Sequence, residues 1–596
     1  MKAGLLAFGA IVWATPVFAQ PASDPLAPLP QTAPPAPPQS APLPTVIRPA
    51  PVTMIQAPAP PVSNVVVPKD WRGVFDAIDS GNWASARAGI ATLPPTLLTP
   101  VAKAELYTAK DSPPVDLPAL LSLLAEAPDL PQAQQLATMA WKRGAATMPW
   151  YVVPKATVNL GSAPLRYKAR PVAGQPAADQ LRAALDPLIK ADDAAGAEAQ
   201  LLTFAPSLSL DARAEAATRV AFVYYVLGLD MDARRVADTW RQGARGDWAS
   251  QAAWVSGLAS WRLNDCNSAA ASFQQVAALT PQRELRAGAL YWAARAQQAC
   301  KRPWAVTPLL KAAATAAESP ESFYGLLARE TLGMPTQLPP DRLTAYDPPV
   351  EQLANVRRAM ELVRIGEPAL AEEMLRHQAK IGAPSEHHAL IQLAKRLDLP
   401  AAQLWLANNG QWGARSDATD RYPNPKWSPL GGWRIDPALA FGHIVQESTF
   451  KRTAVSQVGA VGLMQVRPGT AGDFARARGW PSTGSLTDPK LNLEYGQSFI
   501  EMMRRSPGTG GQLPRVIASY NAGPLPVARW AAINDRGDPL LWIESIPYWE
   551  TRYYVPAVLR NMWVYQGLNH EGTPTLKAIA EHRWPAFPTG MTRLNH

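Results

Sequence analysis

The chain has 596 residues, of which 47% are hydrophobic and 18% are charged, and its formal net charge is +9. This length is too great for one hydrophobic core, so the composition predicts a folded protein of three or more packed units. The positive charge favours anionic partners, but the basic residues are dispersed and form no run typical of a nucleic-acid-binding arm, which argues against a nucleic-acid partner.

The first 19 residues are typical of a secretory signal peptide. Lys2 supplies the positive charge, a short apolar run follows, and small residues precede Gln20. The run is too short to span a bilayer and no cysteine lies at the junction to carry a lipid, so we expect an exported protein without a membrane anchor. Residues 20–69 are dense in proline, which removes backbone donors and predicts a disordered leader.

Residues 70–335 show repeated helix–turn–helix patterns. Trp71, Phe75 and Ile78 share one helical stripe, a Gly-containing turn follows, and the same design recurs over residues 254–279. Because a single hairpin cannot bury both of its apolar stripes, neighbouring hairpins must stack. We therefore expect an all-α protein that begins with an α-solenoid, or superhelical, body acting as a scaffold or guide.

Two cysteines lie within this helical region. Cys266 falls in a turn between two helical patterns, and Cys300 ends the helix after them. If the three helices run up, down and up, the two residues meet, and an oxidising compartment would join them in a disulfide. The alternative is two unrelated buried thiols. The spacing of cysteines and histidines suggests no metal site, and no cofactor is expected.

A shorter helical segment, residues 336–415, leads to a stretch rich in Gly, Pro, Asn and Asp that is typical of a domain boundary. We predict a compact final domain over residues 416–575 and a C-terminal tail over residues 576–596.

One helix of the final domain places a carboxylate at its end. Asp436 is a favourable N-cap and Pro437 a favourable first residue. Glu447 lies near the helix end, beside the apolar stripe and on the same edge as His443. Desolvation there would raise the pKa of the carboxyl group, so that it could donate a proton near neutrality. A solvent-exposed helix end is the alternative interpretation. The stripe consists of Phe441, Ile444, Val445 and Ser448.

The loop after this helix carries Ser456, Gly459, Gly462 and Gln465. The glycines permit a positive φ or a close approach that a side chain would forbid. Ser456 and Gln465 offer hydrogen-bonding groups to a ligand.

These residues belong to a set of motifs that resembles the lytic transglycosylases. The set comprises "QES" with Ser456 nine residues after the glutamate, "GAVGLMQVRPGTA" at 459–471, "ASYNAGP" at 518–524 and "IPYWETRYYVPAVL" at 546–559. Their order is similar to the soluble, periplasmic kind, in which a lysozyme-like catalytic domain follows an α-superhelix. "ESFYGLLARETLG" at 321–333 resembles that family's junction after the superhelix.

The resemblance implies cleavage of the β-1,4 bond between N-acetylmuramic acid and N-acetylglucosamine in peptidoglycan, with a 1,6-anhydro product. Glu447 matches the family's sole catalytic acid/base. Tyr553 stands where the family usually has glycine, which affects the shape of the wall of the substrate site at this position. The resemblance assigns substrate contacts to Ser456, Met464, Gln465, Tyr520, Asn521, Glu550 and Tyr554.

The residues near Glu447 are consistent with this chemistry. Ordinary glycosidases use two carboxylates, but the next ones after Glu447 are Asp473 and Asp488, in or beyond the following helix. One acid suffices if the acetamido group and a hydroxyl of the substrate supply the remaining chemistry. The role of Glu550 stays open: it could orient a residue in the wall of the site, bind the acetamido group, act as a displaced second carboxylate, or pair with Arg552.

Several aromatic residues and one histidine have two interpretations. Helical spacing favours core packing for Trp254 and Trp261, whereas Trp530 and Trp549 are candidates for the cleft. His443 either packs beside the site or tunes Glu447. The rival functions are a hydrolytic muramidase and a non-catalytic wall-binding scaffold. We expect a monomer that acts on peptidoglycan glycan strands, with other cell-wall enzymes as candidate partners.

Overall fold

A computed structural model describes residues 65–344 and 347–588. All of these except Val65 belong to one compact unit, Val66–His596. The predicted signal peptide, most of the proline-rich leader and the end of the tail lie outside the described residues. None of the helices in the described part combines the length and the apolar character that a bilayer span requires.

Two separate stretches of the chain share the first hydrophobic cluster. The first stretch contains α1 (Trp71–Asp79), α2 (Trp83–Thr92), α3 (Thr99–Thr108), α4 (Leu117–Glu126) and α5 (Ala133–Lys142). The second contains α15 (Ala354–Ile365), α16 (Pro368–Ile381), α17 (His387–Arg396) and α18 (Pro400–Asn408). A partly buried ion pair of 2.8 Å between Arg358 and Asp129 joins them. Helices α1–α5 thus pack with a segment more than 200 residues later in the chain.

The stacked helices between these stretches belong to a second cluster. They are α6 (Pro176–Lys190), α7 (Ala194–Phe204), α8 (Leu210–Val226), α9 (Asp230–Trp240), α10 (Gly246–Arg262), α11 (Cys266–Leu279), α12 (Arg283–Ala299), α13 (Pro303–Ala316) and α14 (Phe323–Thr331). Cys266 and Cys300 form a disulfide with Cα atoms 5.5 Å apart, which confirms the prediction. Trp254 is buried here with its ring edge-on to Phe273, and Trp261 packs against the same cluster.

The second cluster continues into the C-terminal helices. These are α19 (Pro437–Glu447), α20 (Pro468–Ala477), α21 (Pro489–Arg505), α22 (Leu513–Ala522), α23 (Pro524–Trp530), α24 (Pro539–Glu544), α25 (Trp549–Leu568) and α26 (Pro574–Ala580). The long α25 packs against both α19 and α22. In the described residues the only named strands are β1 (Val158–Asn159) and β2 (Asn409–Gly410), which pair antiparallel. The all-α fold class is confirmed.

The chain between α5 and α6 differs from the uninterrupted helical pattern expected there. Apart from β1, residues 143–175 are irregular, because their prolines remove backbone donors and restrict the preceding residues. This segment contacts the later part of the chain instead. Leu160 donates its backbone N–H to the Asn408 carbonyl at 2.9 Å, and Arg560 donates to the Pro164 carbonyl at 2.9 Å.

Two buried residues at the end of α24 connect the C-terminal helices to the stacked helices. Glu544 accepts hydrogen bonds from Arg166 at 2.8 Å and from the Tyr324 hydroxyl at 2.6 Å. Ser545 lies 2.8 Å from both the Tyr225 hydroxyl and an Arg262 guanidinium nitrogen. Charge-assisted bonds of this kind, shielded from water, fix the C-terminal helices against α8, α10 and α14. The predicted domain boundaries remain a prediction.

Candidate active site

Glu447 is the last residue of α19. As predicted, Asp436 caps the helix by accepting a backbone N–H two residues later at 2.9 Å, and Pro437 is the first helical residue. The helix stops after Glu447 because Thr449 and Phe450 adopt positive φ angles of 49° and 65°. The carboxylate therefore lies at the point where a rigid helix meets an irregular loop.

A close contact between α19 and α25 brings the partners of Glu447 into position. Gly442 faces the backbone of α25, where a Cβ atom would lie only 3.0 Å from the Val558 carbonyl oxygen. Tyr554 precedes Val558 by one helical turn and so lies on the same face. The absence of a side chain at Gly442 lets α25 approach closely enough for Tyr554 to reach the end of α19.

A chain of two hydrogen bonds runs through the site. The Tyr554 hydroxyl donates to Oε1 of Glu447 at 2.5 Å. The same hydroxyl oxygen lies 2.8 Å from Nδ1 of His443. Because a phenol has one proton to donate, His443 carries its hydrogen on Nδ1 and donates it to Tyr554 in this arrangement.

Burial sets the protonation states of these groups. Desolvation raises the pKa of Glu447 to about 7; the hydrogen bond from Tyr554 opposes the rise and the charge of Glu550 adds to it. Desolvation lowers the pKa of His443 to about 3, so its ring is neutral at physiological pH. Nε2 of His443 is buried and has no hydrogen-bond partner among the described residues. The rise predicted for Glu447 is confirmed.

The loop after Glu447 is held by its own side chains. The Ser456 hydroxyl oxygen accepts from the Ala460 N–H at 2.9 Å. The amide nitrogen of Gln465 donates to the carbonyl oxygens of Gly462 at 2.9 Å and Ala454 at 3.2 Å. Ser456 and Gln465 thus shape the loop in this structure. The hydroxyl hydrogen of Ser456 and the side-chain oxygen of Gln465 are left to hydrogen-bond a ligand.

Asn492 fixes this loop and was not identified from the sequence. It is fully buried on α21; its Oδ1 accepts from the Met464 N–H at 2.8 Å and its Nδ2 donates to the carbonyls of Val461 and Leu486. A Cβ atom on Gly462 would lie 2.3 Å from Nδ2 of Asn492, so this glycine is required by contact as well as by its φ of 80°. In the sequence Asn492 is one of many polar residues of α21, distinguished only by its position between Leu491 and Leu493.

Met464 and Tyr520 form the floor beneath the loop. The Met464 side chain is fully buried and packs on Gly496, so in this structure it supports the loop and does not line the cleft. Tyr520 donates its hydroxyl to the Met464 carbonyl at 2.7 Å, and its ring lies 4.5 Å from that of His443, centroid to centroid. Tyr520 therefore links the loop to the helix that carries Glu447.

Glu550 and Asn521 lie together at the start of α25. Asn521 donates to Glu550 at 3.3 Å and accepts from the Thr551 hydroxyl at 2.6 Å. Arg552 is buried and donates to the carbonyls of residues 546 and 547, and no salt bridge with Glu550 forms among the described residues. The suggested pair of Glu550 with Arg552 is therefore wrong. Glu550 is exposed, and its charge acts on Glu447.

The two tryptophans proposed for the cleft differ in exposure. Trp530 is only 6% exposed and packs in the core, because α23 turns its ring inward against Tyr548. Trp549 is half-buried and stands edge-on to Tyr553 at 4.3 Å. The Tyr553 ring also receives the Arg166 guanidinium at 4.6 Å. The side chain that replaces the family's glycine thus packs against the irregular segment before α6.

Asp341, His388 and Asp420 have the spacing of a metal site. Burial disfavours the charged form of His388, but hydrogen bonds to Asp420 and Asp347 outweigh it and raise its pKa to about 9. The amide nitrogen of Gln392 also donates to Asp420 at 3.0 Å. In this structure these side chains form an ion-pair network around His388.

The arrangement around Glu447 suits proton transfer. A carboxyl group with a pKa near 7 can donate a proton and take one back at neutral pH. Tyr554 can stabilise the carboxylate that forms, and the neutral His443 behind it orients the phenol.

Comparison with known proteins gives a consistent set of relatives. Residues 430–543 match the family described as the Transglycosylase SLT domain. The soluble lytic murein transglycosylase of Escherichia coli K12 is 28% identical over 280 residues, 44% of this chain and 41% of that protein. The endo-type membrane-bound lytic murein transglycosylase A of Klebsiella pneumoniae strain 342 is 32% identical over 177 residues, 24% of this chain and 87% of that protein.

A solved structure shows the same fold. It is an inactive Glu-to-Gln mutant of lytic transglycosylase Slt from Pseudomonas aeruginosa, with 20% sequence identity, a TM-score of 0.50, and coverage of 86% of this chain and 88% of that one. The sequence matches to the Escherichia coli and Salmonella typhimurium relatives span about two fifths of those proteins, 41% and 38%.

Proposed function

The chain belongs to the lytic murein transglycosylases, and we propose that it cleaves the β-1,4 bond between N-acetylmuramic acid and N-acetylglucosamine in peptidoglycan, leaving a 1,6-anhydromuramyl end. The observation that carries this proposal is the carboxyl group of Glu447, whose pKa is raised to about 7 and which accepts a hydrogen bond from Tyr554. Such a group can act first as an acid and then as a base.

The proposed reaction needs one proton carrier. Protonated Glu447 donates to the glycosidic oxygen as the bond between this oxygen and C1 of the muramyl residue breaks, and the leaving sugar keeps the proton. The C6 hydroxyl of the same muramyl residue then attacks C1, and the Glu447 carboxylate takes the hydroxyl proton. The enzyme returns to its starting state and no water is consumed.

Tyr554 has a defined part in this cycle. Its hydroxyl donates to Glu447, which favours the carboxylate formed after the first proton transfer. Burial and the charge of Glu447 hold the pKa of Tyr554 well above its usual value, so the phenol keeps its proton throughout. His443 donates to the phenol oxygen from behind and thereby limits rotation of the hydroxyl.

Glu550 is assigned to substrate binding and not to nucleophilic attack. Asn521 holds its carboxylate at the start of α25, and Thr551 holds Asn521 in turn. We infer that this group receives the acetamido N–H of the muramyl residue. The same acetamido group can stabilise the positive charge that develops at C1. Ser456, Gln465 and Tyr520 would contact the sugar on the opposite side.

The substrate implies the compartment. Peptidoglycan lies outside the cytoplasmic membrane, so we propose a periplasmic enzyme that acts on glycan strands as a monomer. Other cell-wall enzymes are the candidate partners.

Mass spectrometry of the products from digested sacculi tests the proposal. A product 18 Da lighter than the hydrolysed muropeptide, with no reducing end, is expected, since water is not added. Glu447→Gln should release nothing while still sedimenting with sacculi. Reducing-end products would establish the hydrolytic muramidase instead, with Glu550 as the helping carboxylate. A parent protein that binds but releases no fragments would establish the scaffold function.

A further inference from the structure

A cavity lies between the stacked helices and the segment that precedes α24. It has a volume of about 440 Å³, within the range of roughly 300–1,000 Å³ that small-molecule sites occupy. Helices α10, α11 and α12 supply Trp261, Cys266 and Arg295 to its lining, and the C-terminal part of the chain supplies residues 536–538 and His582. The reaction proposed above uses none of these residues, so the cavity has a separate role.

Arg295 of α12 brings unpaired hydrogen-bond donors to this cavity. Its side chain is 7% exposed, and its guanidinium carbon lies 4.8 and 4.2 Å from the ring centroids of Trp261 and Trp292. Nη2 donates to Asp538, but Nε and Nη1 are buried and have no hydrogen-bond partner among the described residues. Because a buried donor of a charged group is costly to leave unpaired, the cavity favours an occupant that accepts hydrogen bonds.

The charge of the lining is positive. Among the described residues that line the cavity, the carboxylate is that of Asp538, and both of its oxygens are engaged. Oδ2 accepts from Arg295, and Oδ1 accepts the backbone N–H of Leu540 at 2.9 Å as the N-cap of α24. Arg536 is exposed and donates to the Trp261 carbonyl at 2.9 Å, and it forms no salt bridge within 4.0 Å in the described part of the chain. Two guanidinium groups against one carboxylate favour an anionic ligand.

His582, which follows α26, adds a neutral hydrogen-bonding group to the lining. Its Nδ1 is buried and has no hydrogen-bond partner in the part of the chain that the structure describes. Burial and the charge of Arg295 lower the pKa of His582 to about 4, against the opposing charge of Asp538, so the ring is neutral at physiological pH. A neutral imidazole can carry its hydrogen on Nδ1 and donate it to an oxygen atom. The imidazole and the guanidinium of Arg295 therefore offer donors to the same occupant.

We propose that this cavity binds a small oxyanion, a carboxylate or a phosphate group, whose oxygens accept hydrogen bonds from Arg295, Arg536 and His582. Such a group satisfies the unpaired N–H groups of Arg295 and neutralises the excess positive charge. Its contacts come from α12, from the segment before α24 and from the end of α26, so the bound oxyanion joins the stacked helices to the C-terminal helices. Asp538 begins α24 and Glu544 ends it in contact with Arg166, so occupancy strengthens a junction that already exists.

Titration calorimetry of the full chain with inorganic phosphate and, separately, with acetate tests the proposal at constant ionic strength. The parent should bind one equivalent of the preferred anion. Tighter binding of phosphate identifies a phosphate-bearing ligand, and tighter binding of acetate a carboxylate-bearing one; either result supports the site. Arg295→Gln should weaken binding about tenfold or more, since it removes buried charge-assisted hydrogen bonds. Arg536→Gln should weaken it about threefold to fivefold, as expected for an exposed ion pair.

Arg529→Gln is the matched control, because it removes an exposed arginine on α23 outside the cavity and should bind the anion as the parent does. Thermal melting without anion checks that each variant is folded; Arg536 is exposed, so Arg536→Gln keeps the test decisive if Arg295→Gln does not fold. A saturating anion should raise the melting temperature of the parent and of Arg529→Gln by the same amount, and that of Arg536→Gln by less. If neither anion binds, or if Arg536→Gln and Arg529→Gln bind equally well, the cavity is not an oxyanion site and the proposal is overturned.

Discussion

The Tyr554 hydroxyl donates a hydrogen bond of 2.5 Å to Oε1 of Glu447. This bond stabilises the carboxylate in a place where burial favours the neutral acid, and together with the charge of Glu550 these effects leave the pKa of Glu447 at about 7. Glu447 on α19 and Tyr554 on α25 lie 107 positions apart in the sequence. The close approach of the two helices at Gly442 brings these residues together.

Replacing Tyr554 with phenylalanine removes the bond but keeps the ring. Because the lost bond favoured the carboxylate, the pKa of Glu447 should rise, and the limb of kcat/KM that falls with increasing pH should move to higher pH. The maximal rate should fall about tenfold, as the carboxylate formed in the first step loses a donor. Release of anhydro products measured from pH 5 to 9 checks this. Tyr548→Phe, at an exposed tyrosine nearby, is the control; an unmoved limb in Tyr554→Phe would contradict the assignment.

The raised pKa of Glu447 also predicts a change in stability. The folded pKa of about 7 exceeds the ordinary value of 4.5, so the neutral carboxyl contributes its full stability below pH 4.5, and this is lost as pH rises through 7. The rise in the pKa of Glu447 from 4.5 to about 7 corresponds to at most about 3 kcal/mol, and to less because the residue is only half-buried. Glu447→Gln cannot ionise. Its melting temperature should therefore exceed the parent's by more at pH 8 than at pH 5, and an equal difference at both pH values would contradict the shift.

Local features of this protein could be predicted from the sequence. The cap at Asp436, the end of α19 at Glu447 and the left-handed glycines of the following loop depend on neighbouring residues, so local rules identify them. The disulfide between Cys266 and Cys300 followed from turns and helix lengths over 34 residues. The motif resemblance supplied both Glu447 and Tyr554, but not their hydrogen bond.

Features that depend on distant contacts were missed. The packing of α1–α5 with α15–α18 joins stretches with similar helical patterns, and the pattern does not specify which hairpins become neighbours. Asn492 is indistinguishable from other polar helix residues until α21 is placed beneath the loop. Met464 lies in a motif that forms the site and Trp530 lies beside one, yet packing turns both side chains into the core.

Burial of His443 predicts sensitivity to acid. Its folded pKa of about 3 lies below the ordinary 6.5, so its contribution to stability is full above pH 6.5 and is lost as pH falls toward 3. By pH 5 the loss is about 2 kcal/mol. His443→Gln removes the titrating group, so its melting temperature should fall less than the parent's between pH 7.5 and pH 5. The exposed His570→Gln should behave like the parent, and identical slopes for all three proteins would contradict the prediction.

The disulfide should contribute to stability without a role in the reaction. Cys266 and Cys300 close a loop with a sequence separation of 34, for which chain entropy gives about 4 kcal/mol. The double variant Cys266→Ser, Cys300→Ser should melt at a lower temperature and still release anhydro products at 25 °C. The parent protein with its disulfide reduced should have the same melting temperature as the double variant. A reductant that leaves the parent's melting temperature unchanged would contradict this contribution.

Asn492 should determine how well the loop after Glu447 is ordered. Asn492→Ala leaves the Met464 N–H and the carbonyls of Val461 and Leu486 without their buried partner, which costs about 2–4 kcal/mol. The loop should then open more often, so amide exchange should quicken over residues 454–466, and kcat/KM should fall about tenfold as Ser456 and Gln465 lose their positions.

Asn492→Asp is the matched comparison, because it keeps the acceptor for Met464 but removes the donor to the two carbonyls. Its exchange rates should lie between those of the parent and Asn492→Ala. Hydrogen–deuterium exchange with mass spectrometry reports the loop directly, and residues 230–240 of α9 serve as an internal reference because they lie in the stacked helices. If exchange increases equally in the loop and in α9, the variant has lost global stability and Asn492 does not stabilise the loop specifically.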